Sequence, residues 1–186
     1  MPSTRLVALL RAVNVGGRGL LPMADLRRLT TELGHCEVTT FIQSGNVVFT
    51  TERQASSVAV RRQIGDDISA AIADHNEVRT TVMIRTVDEL RAAIDAVPFL
   101  ADEPDSSKLL IVFLSDPPTA AAIASLEPTR FAPDRFDVVG REMFVHFPNG
   151  AGKSKFTATY FEKRLGVSGT GRNLNTVRKL IDLATG

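Results

Sequence analysis

Two uninterrupted apolar runs, one near the start of the chain and one past its middle, most constrain how it can fold. They lie at residues 6–10 and at residues 109–114. A strand that is apolar at every position is buried on both of its faces. We therefore expect two sheets, each with its second face covered by the other half of the chain or by a closing helix.

The first hundred residues predict a ferredoxin-like arrangement, in which the order of elements is β-α-β-β-α-β. Apolar periodicity and turn residues define these elements. They are, in order, a strand at 5–13, a helix between Pro22 and Gly34, strands at 37–43 and 47–51, a long helix, a strand at 80–85 and one extra short helix ending at Pro98.

The second half predicts a similar but incomplete pattern. Residues 101–107 are polar and unpatterned, which indicates a linker between a ferredoxin-like subdomain at 1–100 and an α+β subdomain at 108–186. The second subdomain is predicted as β-α-β-β-α-α, with closing helices at 154–165 and 174–184 and a polar loop before the last one. The fold class is therefore α+β, with two ferredoxin-like (βαββαβ-type) antiparallel-sheet halves packed into one compact body and C-terminal helices.

Composition and charge limit the possible partners. The 186 residues carry a formal net charge of +1, so no global field directs the chain to nucleic acid or to membranes. Residues 151–186 hold seven Lys and Arg against two Asp and Glu, so the basic charge lies at the end of the chain. A single cysteine, Cys36, excludes an internal disulfide. Without a leader pattern or an apolar run of about 20 residues, we expect a cytoplasmic protein with no membrane partner.

Two polar corners of the first half follow strands. Glycine-rich backbone between a strand and a helix can bind an anion, and the alternative is a plain connector. The second corner is either a tight hairpin turn alone or a turn that also lines a site. The residues of the first corner are Asn14, Gly16 and Gly17, and those of the second are Ser44, Gly45 and Asn46.

A third corner, at Lys153 and Ser154, ends like a phosphate-binding loop. The complete loop motif requires glycine at position 147, and Phe147 stands there, which argues against a nucleoside-triphosphatase. We expect a simpler anion contact from Lys153 and the first amides of a helix, with Ser154 as a possible cap.

The fourth corner precedes the last helix. Arg172 lies in the predicted polar loop, where it could grip a phosphate or a carboxylate. Its removal should then abolish ligand binding and leave the fold nearly intact. Asn173 could cap the helix, with Asn175 and Thr176 in its first turn.

These corners together predict one ligand site, and their residue types favour recognition over acid–base chemistry. Whether the chain is an enzyme stays open. The three histidines share no spacing that predicts a metal site. No cofactor is expected. The leading hypothesis is a small anionic ligand, phosphate- or nucleotide-like. The alternatives are single-stranded nucleic-acid binding through the basic C-terminal region and a structural or partner-binding domain.

Several motifs resemble a bacterial family, domain of unknown function family 1697. They are Arg11-Ala12-Val13-Asn14-Val15-Gly16-Gly17, Met23-Ala24-Asp25-Leu26, Gln43-Ser44-Gly45-Asn46-Val47-Val48-Phe49, Lys153-Ser154, and Thr170 with Arg172-Asn173-Leu174-Asn175-Thr176-Val177. The resemblance implies a compact, cytoplasmic α+β protein with ferredoxin-like elements and no assigned activity. The family pattern has Trp where this chain has Leu174. If that aromatic stacks on a ligand, this chain lacks it, and if it only packs, leucine replaces it easily.

Overall fold

The computed structural model describes residues 3–15 and 20–186, so Gly16 and Gly17 lie outside the described residues. The chain divides into two units. The first ends at Leu90 and also takes in Lys179–Gly186, and the second spans Arg91–Arg178. Among the described residues, no helix combines the length and the apolar character needed to cross a membrane.

The first unit contains one four-stranded antiparallel sheet with the strand order β2-β3-β1-β4. This order and the alternation of helices with strands confirm the predicted ferredoxin-like arrangement. The elements are β1 (Thr4–Leu10), α1 (Met23–Glu32), β2 (Cys36–Thr40), β3 (Asn46–Thr51), α2 (Val58–Asn76) and β4 (Val82–Thr86), followed by α3 (Val87–Asp95).

The long helix α2 covers this sheet because its apolar residues recur every four positions. Ile64, Ile68 and Ile72 are fully buried in the same core as Leu6 and Leu10 of β1. A Cβ atom at Gly65 would lie 2.5 Å from the carbonyl oxygen of Val82, so only glycine lets the helix approach the strand this closely.

The second unit contains a sheet of the same design, with the order β6-β7-β5-β8 and every neighbouring pair antiparallel. Short 3₁₀ turns lie at Ser106–Lys108 and Ala151–Lys153. The elements are β5 (Leu109–Leu114), α4 (Ala120–Ala124), β6 (Arg135–Val139), β7 (Glu142–His146), α5 (Ala158–Leu165), β8 (Gly169–Asn173) and α6 (Leu174–Thr185), whose residues from Lys179 onward belong to the first unit.

Strand β8 corrects the predicted order of the second half. The segment predicted as a polar loop pairs with β5 along its whole length, which completes the βαββαβ pattern. Its sequence, Gly-Thr-Gly-Arg-Asn, lacks the β-branched and apolar run that indicates a strand. Its extended conformation is determined by pairing with the apolar strand β5, which is a tertiary contact.

The two sheets correspond residue by residue in their last strands. Arg85 in β4 and Arg172 in β8 each occupy the next-to-last position of the strand, and both are buried. In each case the final residue caps a helix that follows without a connecting loop. Thr86 Oγ1 accepts a hydrogen bond from the Glu89 amide at 3.1 Å, and Asn173 Oδ1 accepts one from the Thr176 amide at 2.8 Å. The predicted capping role of Asn173 is therefore confirmed.

Both faces of each central strand are buried, as the apolar runs predict. Val7 and Leu9 on the side of β1 away from its helices are fully buried. Ile111 and Phe113 occupy the corresponding positions of β5 and are at most 1% exposed.

Candidate functional site

Asn14 holds the first polar corner together through its side chain. Its amide nitrogen donates to the carbonyl oxygens of Leu21 at 2.9 Å and Gln43 at 2.8 Å. Its side-chain oxygen accepts from the Leu21 amide at 2.8 Å. These three bonds join the connector after β1 to the turn between β2 and β3. Asn14 therefore has a structural role in the first unit, because it connects two loops, and the sequence motif alone did not predict this role.

The second corner is built around Gly45 and Asn46. Gly45 has a φ angle of +76°, and a Cβ atom there would lie 2.5 Å from Val13 Cγ2 and 2.7 Å from Leu10 Cβ. Asn46 is fully buried, and its amide donates to the Phe41 carbonyl at 3.0 Å and to Ser44 Oγ at 3.1 Å. The structure thus brings Asn14, Ser44, Gly45 and Asn46 together as a packed corner of the first unit.

This corner also carries unusual backbone angles. Ala12, Asn14 and Ile42 have φ angles of +55°, +55° and +49°. For residues other than glycine, this left-handed region costs about 1–2 kcal/mol each. The asparagine bonds and the close packing around Gly45 are what hold such a backbone in place.

Arg172 lies in strand β8 and not in a loop, and its side chain is buried. It is 6% exposed, and its guanidinium donates to Thr170 Oγ1 at 2.7 Å and to the Gly171 carbonyl at 2.8 Å. Burial lowers the pKa of Arg172 to about 10. The loop position on which the expectation of a nearly intact fold rested is therefore wrong. Because the cation is buried and hydrogen-bonded within β8, we expect its removal to destabilise the fold.

The residues after Arg172 also have structural positions. Leu174 is fully buried, which matches packing as the role of this motif position. Asn175 is exposed and Thr176 is half-buried in the first turn of α6, as predicted.

The remaining predicted pair, Lys153 and Ser154, lines an open depression of about 720 Å³ in the second unit. The 3₁₀ turn Ala151–Lys153 carries them, and the segment before β6 forms the opposite wall. The depression is lined by Arg130, Phe131, Ala132, Pro133, Asp134, Asn149, Gly150, Lys153, Ser154, Lys155 and Tyr160. We call it the basic depression, because it has three cationic side chains against one carboxylate.

Ser154 fixes one wall of the basic depression and does not cap a helix. Helix α5 begins four residues later, at Ala158, and Thr157 Oγ1 caps it by accepting from the Tyr160 amide at 3.3 Å. The Ser154 hydroxyl donates to Asp134 Oδ2 at 2.5 Å and accepts from the Phe156 amide at 2.8 Å. The predicted cap at Ser154 is therefore wrong, since its hydroxyl instead bonds the side chain of Asp134 in another loop.

The cations of the basic depression differ in how far they are neutralised. Arg130 donates to Glu127 Oε2 at 2.8 Å, and Arg164 shares the same oxygen at 3.0 Å. The hydrogen bond from Arg130 lowers the pKa of Glu127, so this carboxylate is charged at neutral pH. Lys153 and Lys155 are exposed and make no ion pair with any residue that the structure describes.

Sequence reasoning missed two residues of this wall, Arg130 and Asp134. Arg130 stacks over the rings of Phe131 and Tyr160, with its Cζ atom 5.6 Å and 5.5 Å from the ring centres. Asp134 is 9% exposed and anchors Ser154. They belong to a proline-punctuated segment with no recognisable motif, so only the fold brings them beside Lys153.

The titratable groups elsewhere in the second unit do not add a catalytic group to the basic depression. His146 is buried, and its Nε2 lies 2.9 Å from Glu103 Oε2 while Arg135 Nη2 lies 3.0 Å from its Nδ1. The hydrogen bond to His146 lowers the pKa of Glu103. His146 is therefore a buried histidine whose two ring nitrogens both have partners. Within residues 3–15 and 20–186, no group of three or more His, Cys, Asp or Glu side chains could hold a metal ion.

Comparison with known proteins identifies a family and a similar solved structure. The model of a family described as "Protein of unknown function (DUF1697)" matches residues 3–144, which confirms the resemblance drawn from the motifs. A conserved bacterial protein from Streptococcus pneumoniae has a similar structure, with a TM-score of 0.68 and 22% identity over 99% of this chain and 100% of that one. At this identity the likeness concerns the fold. No curated protein matches the chain.

Proposed function

The chain belongs to this family of proteins of unknown function, and we propose that it binds a small phosphate- or nucleotide-like anion in the basic depression of its second unit. The observation that carries the proposal is the pair Lys153 and Lys155, two exposed lysines without an ion-pair partner among the described residues, on the wall of a depression of about 720 Å³. Ligand sites usually have volumes of about 300–1,000 Å³.

The other residues of the depression suit an anion with a flat or apolar part. Asn149 contributes an amide, and Arg130 lies over the rings of Phe131 and Tyr160. Charge-assisted hydrogen bonds from lysine to phosphate oxygens are shorter and stronger than neutral ones. Because both lysines are exposed, part of their attraction will be screened by salt. The proposal therefore concerns binding, and it includes no chemical step.

The proposed site contains fewer residues than the site predicted from the sequence. Asn14, Ser44, Gly45 and Asn46 are not needed for it, since their contacts serve a corner of the first unit. Arg172 is also left out, because it is buried in β8. Of the predicted residues, Lys153 and Ser154 remain.

The aromatic side chains of the strands are buried or stacked on other rings, which favours a small ligand over single-stranded nucleic acid. Sheet platforms bind bases by stacking them on exposed rings. Here Phe49, Phe113 and Phe144 are at most 1% exposed, and Phe136 stacks on Phe156 with ring centres 4.9 Å apart. Nucleic-acid binding remains an outcome that the following experiment can reveal.

Thermal shift with a panel of nucleotides, sugar phosphates and short oligonucleotides tests the proposal. A ligand at a hundredfold excess over its dissociation constant stabilises the folded state by about 2.7 kcal/mol. We expect a hit among the small phosphates that disappears in a Lys153→Ala, Lys155→Ala double variant. Lys163→Ala is the matched control, since this lysine is exposed on α5 and does not line the depression. Stabilisation only by oligonucleotides, with a steep loss in salt, would contradict the proposal.

A further inference from the structure

The two units differ at one place where their topology is the same, the helix-facing side of the last strand. By register on the central strands, Val82 and Ile84 of β4 correspond to Gly169 and Gly171 of β8. Val82 and Ile84 fill the core beneath α2 in the first unit. The second unit has no side chain at either position. Glycine weakens a strand and often marks a place where another group approaches closely.

The helix above these positions is also shorter in the second unit. Helix α2 has 19 residues, whereas α5 has 8 and is preceded by a long connection from β7. Leu110 in the central strand is consequently only partly buried, while the corresponding Leu6 of the first unit is fully buried. The apolar face of this sheet is therefore not sealed by its helices.

The result is a cavity of about 210 Å³ with an apolar lining. Leu110, Val112 and Val145 line it from the sheet, together with Phe147, which directly follows β7. Phe156 and Phe161 line it from the segment before α5 and from α5 itself. Ala151 and Ala158, which are both exposed, stand at its edge and mark where it opens. None of these residues lines the basic depression.

We infer that this cavity is a binding site for a small uncharged apolar group, an aromatic ring or a short branched alkyl group. An engineered apolar cavity of about 150 Å³ in another protein stays dry and binds benzene, so this volume accepts one ring. The side chains that line it offer no charged group to bind an ion. Gly169 and Gly171 also line the cavity, and side chains that line it pack directly against both glycines. A Cβ at Gly171 would lie 2.8 Å from Leu110 Cδ2, and one at Gly169 would lie 2.9 Å from Phe161 Cε2.

Fluorobenzene binding, followed by fluorine NMR, tests this inference on the full chain. We expect saturable binding that indole displaces and that salt does not change, with contacts from the ring to the methyl groups of Leu110 and Val112. Ala158→Leu places a larger side chain at the opening and should weaken binding by about tenfold or more.

Ala120→Leu is the matched control, because Ala120 is also an exposed first helical residue that follows a capping threonine. This variant should bind fluorobenzene as the parent does. If Ala158→Leu fails to fold, Ala151→Leu blocks the other side of the opening. No saturable binding, or equal binding in the blocked variant and the control, would overturn the inference. Ala158 does not line the basic depression, so the result with Ala158→Leu is independent of the proposed anion site.

Discussion

Replacing Gly45 by alanine tests whether close packing requires glycine at this position of the Gln-Ser-Gly-Asn motif. The added Cβ would lie 2.5 Å from Val13 Cγ2 and 2.7 Å from Leu10 Cβ, both side-chain atoms of the buried core. The φ angle of +76° adds a second penalty, since residues with a Cβ rarely adopt it. Both effects act in the folded state and lower the free energy of unfolding.

The magnitude follows from these two terms. The left-handed backbone costs about 1–2 kcal/mol, and overpacking a filled core costs about 1–3 kcal/mol. Gly45→Ala should therefore reduce the free energy of unfolding by about 2–5 kcal/mol. Gly34→Ala separates the two terms, because Gly34 has a φ of +86° and no atom of the described residues lies within 4 Å of its Cβ position. It should cost only the backbone term, about 1–2 kcal/mol.

Urea unfolding followed by circular dichroism measures both variants against the parent chain. We expect a lower midpoint for both, with the larger shift for Gly45→Ala and an unchanged slope against urea. Equal shifts for the two glycines would refute the reasoning, because the close contacts at Gly45 would then have no energetic effect.

Three other perturbations have expected outcomes. Burial lowers the pKa of His35, whose ring nitrogens have no hydrogen-bond partner among the residues that the structure describes. The folded state therefore resists its protonation, and the free energy of unfolding should fall as the pH drops below about 6.5. In His35→Leu, the free energy of unfolding should depend less steeply on pH, by up to about 1.4 kcal/mol per pH unit. Urea unfolding from pH 7 to 5 measures this slope, and a slope equal to that of the parent chain would contradict the prediction. Arg172→Ala should destabilise the fold by about 3 kcal/mol in the same assay, through lost packing and charged hydrogen bonds, and parent-like stability would show that the buried guanidinium is dispensable. Asn14→Ala should cost about 2 kcal/mol by leaving the bonds to Leu21 and Gln43 unmade, whereas the exposed Asn175→Ala should change little, and equal effects would contradict the structural role of Asn14.

The fold was predictable where the sequence is locally informative. Isoleucines spaced four apart define α2, and uninterrupted apolar runs define the central strands β1 and β5. The strand β8 was not predictable, because Gly169–Asn173 has neither alternation nor β-branched apolar residues. Its conformation depends on pairing with β5, which is a contact distant in sequence.

The candidate site was predictable only in part for a related reason. Lys153 and Ser154 stand in a recognisable glycine-rich motif, so their place beside a depression could be anticipated. Arg172 stands in an equally polar stretch, yet its side chain is buried. This could not be predicted, because polarity alone does not distinguish a loop from an edge strand. Arg130 and Asp134 carry no local signal and reach the depression through the fold.

Phosphate titration followed by amide chemical shifts tests the central claim most directly. Inorganic phosphate added to isotopically labelled protein should give saturable shifts at the amides of Asn149–Lys155, and Lys153→Gln should weaken them while Lys163→Gln does not. The account predicts that the amides of the Gln43–Asn46 corner remain unchanged. Saturable shifts at that corner, or none near Lys153, would contradict the assignment of the anion site to the basic depression.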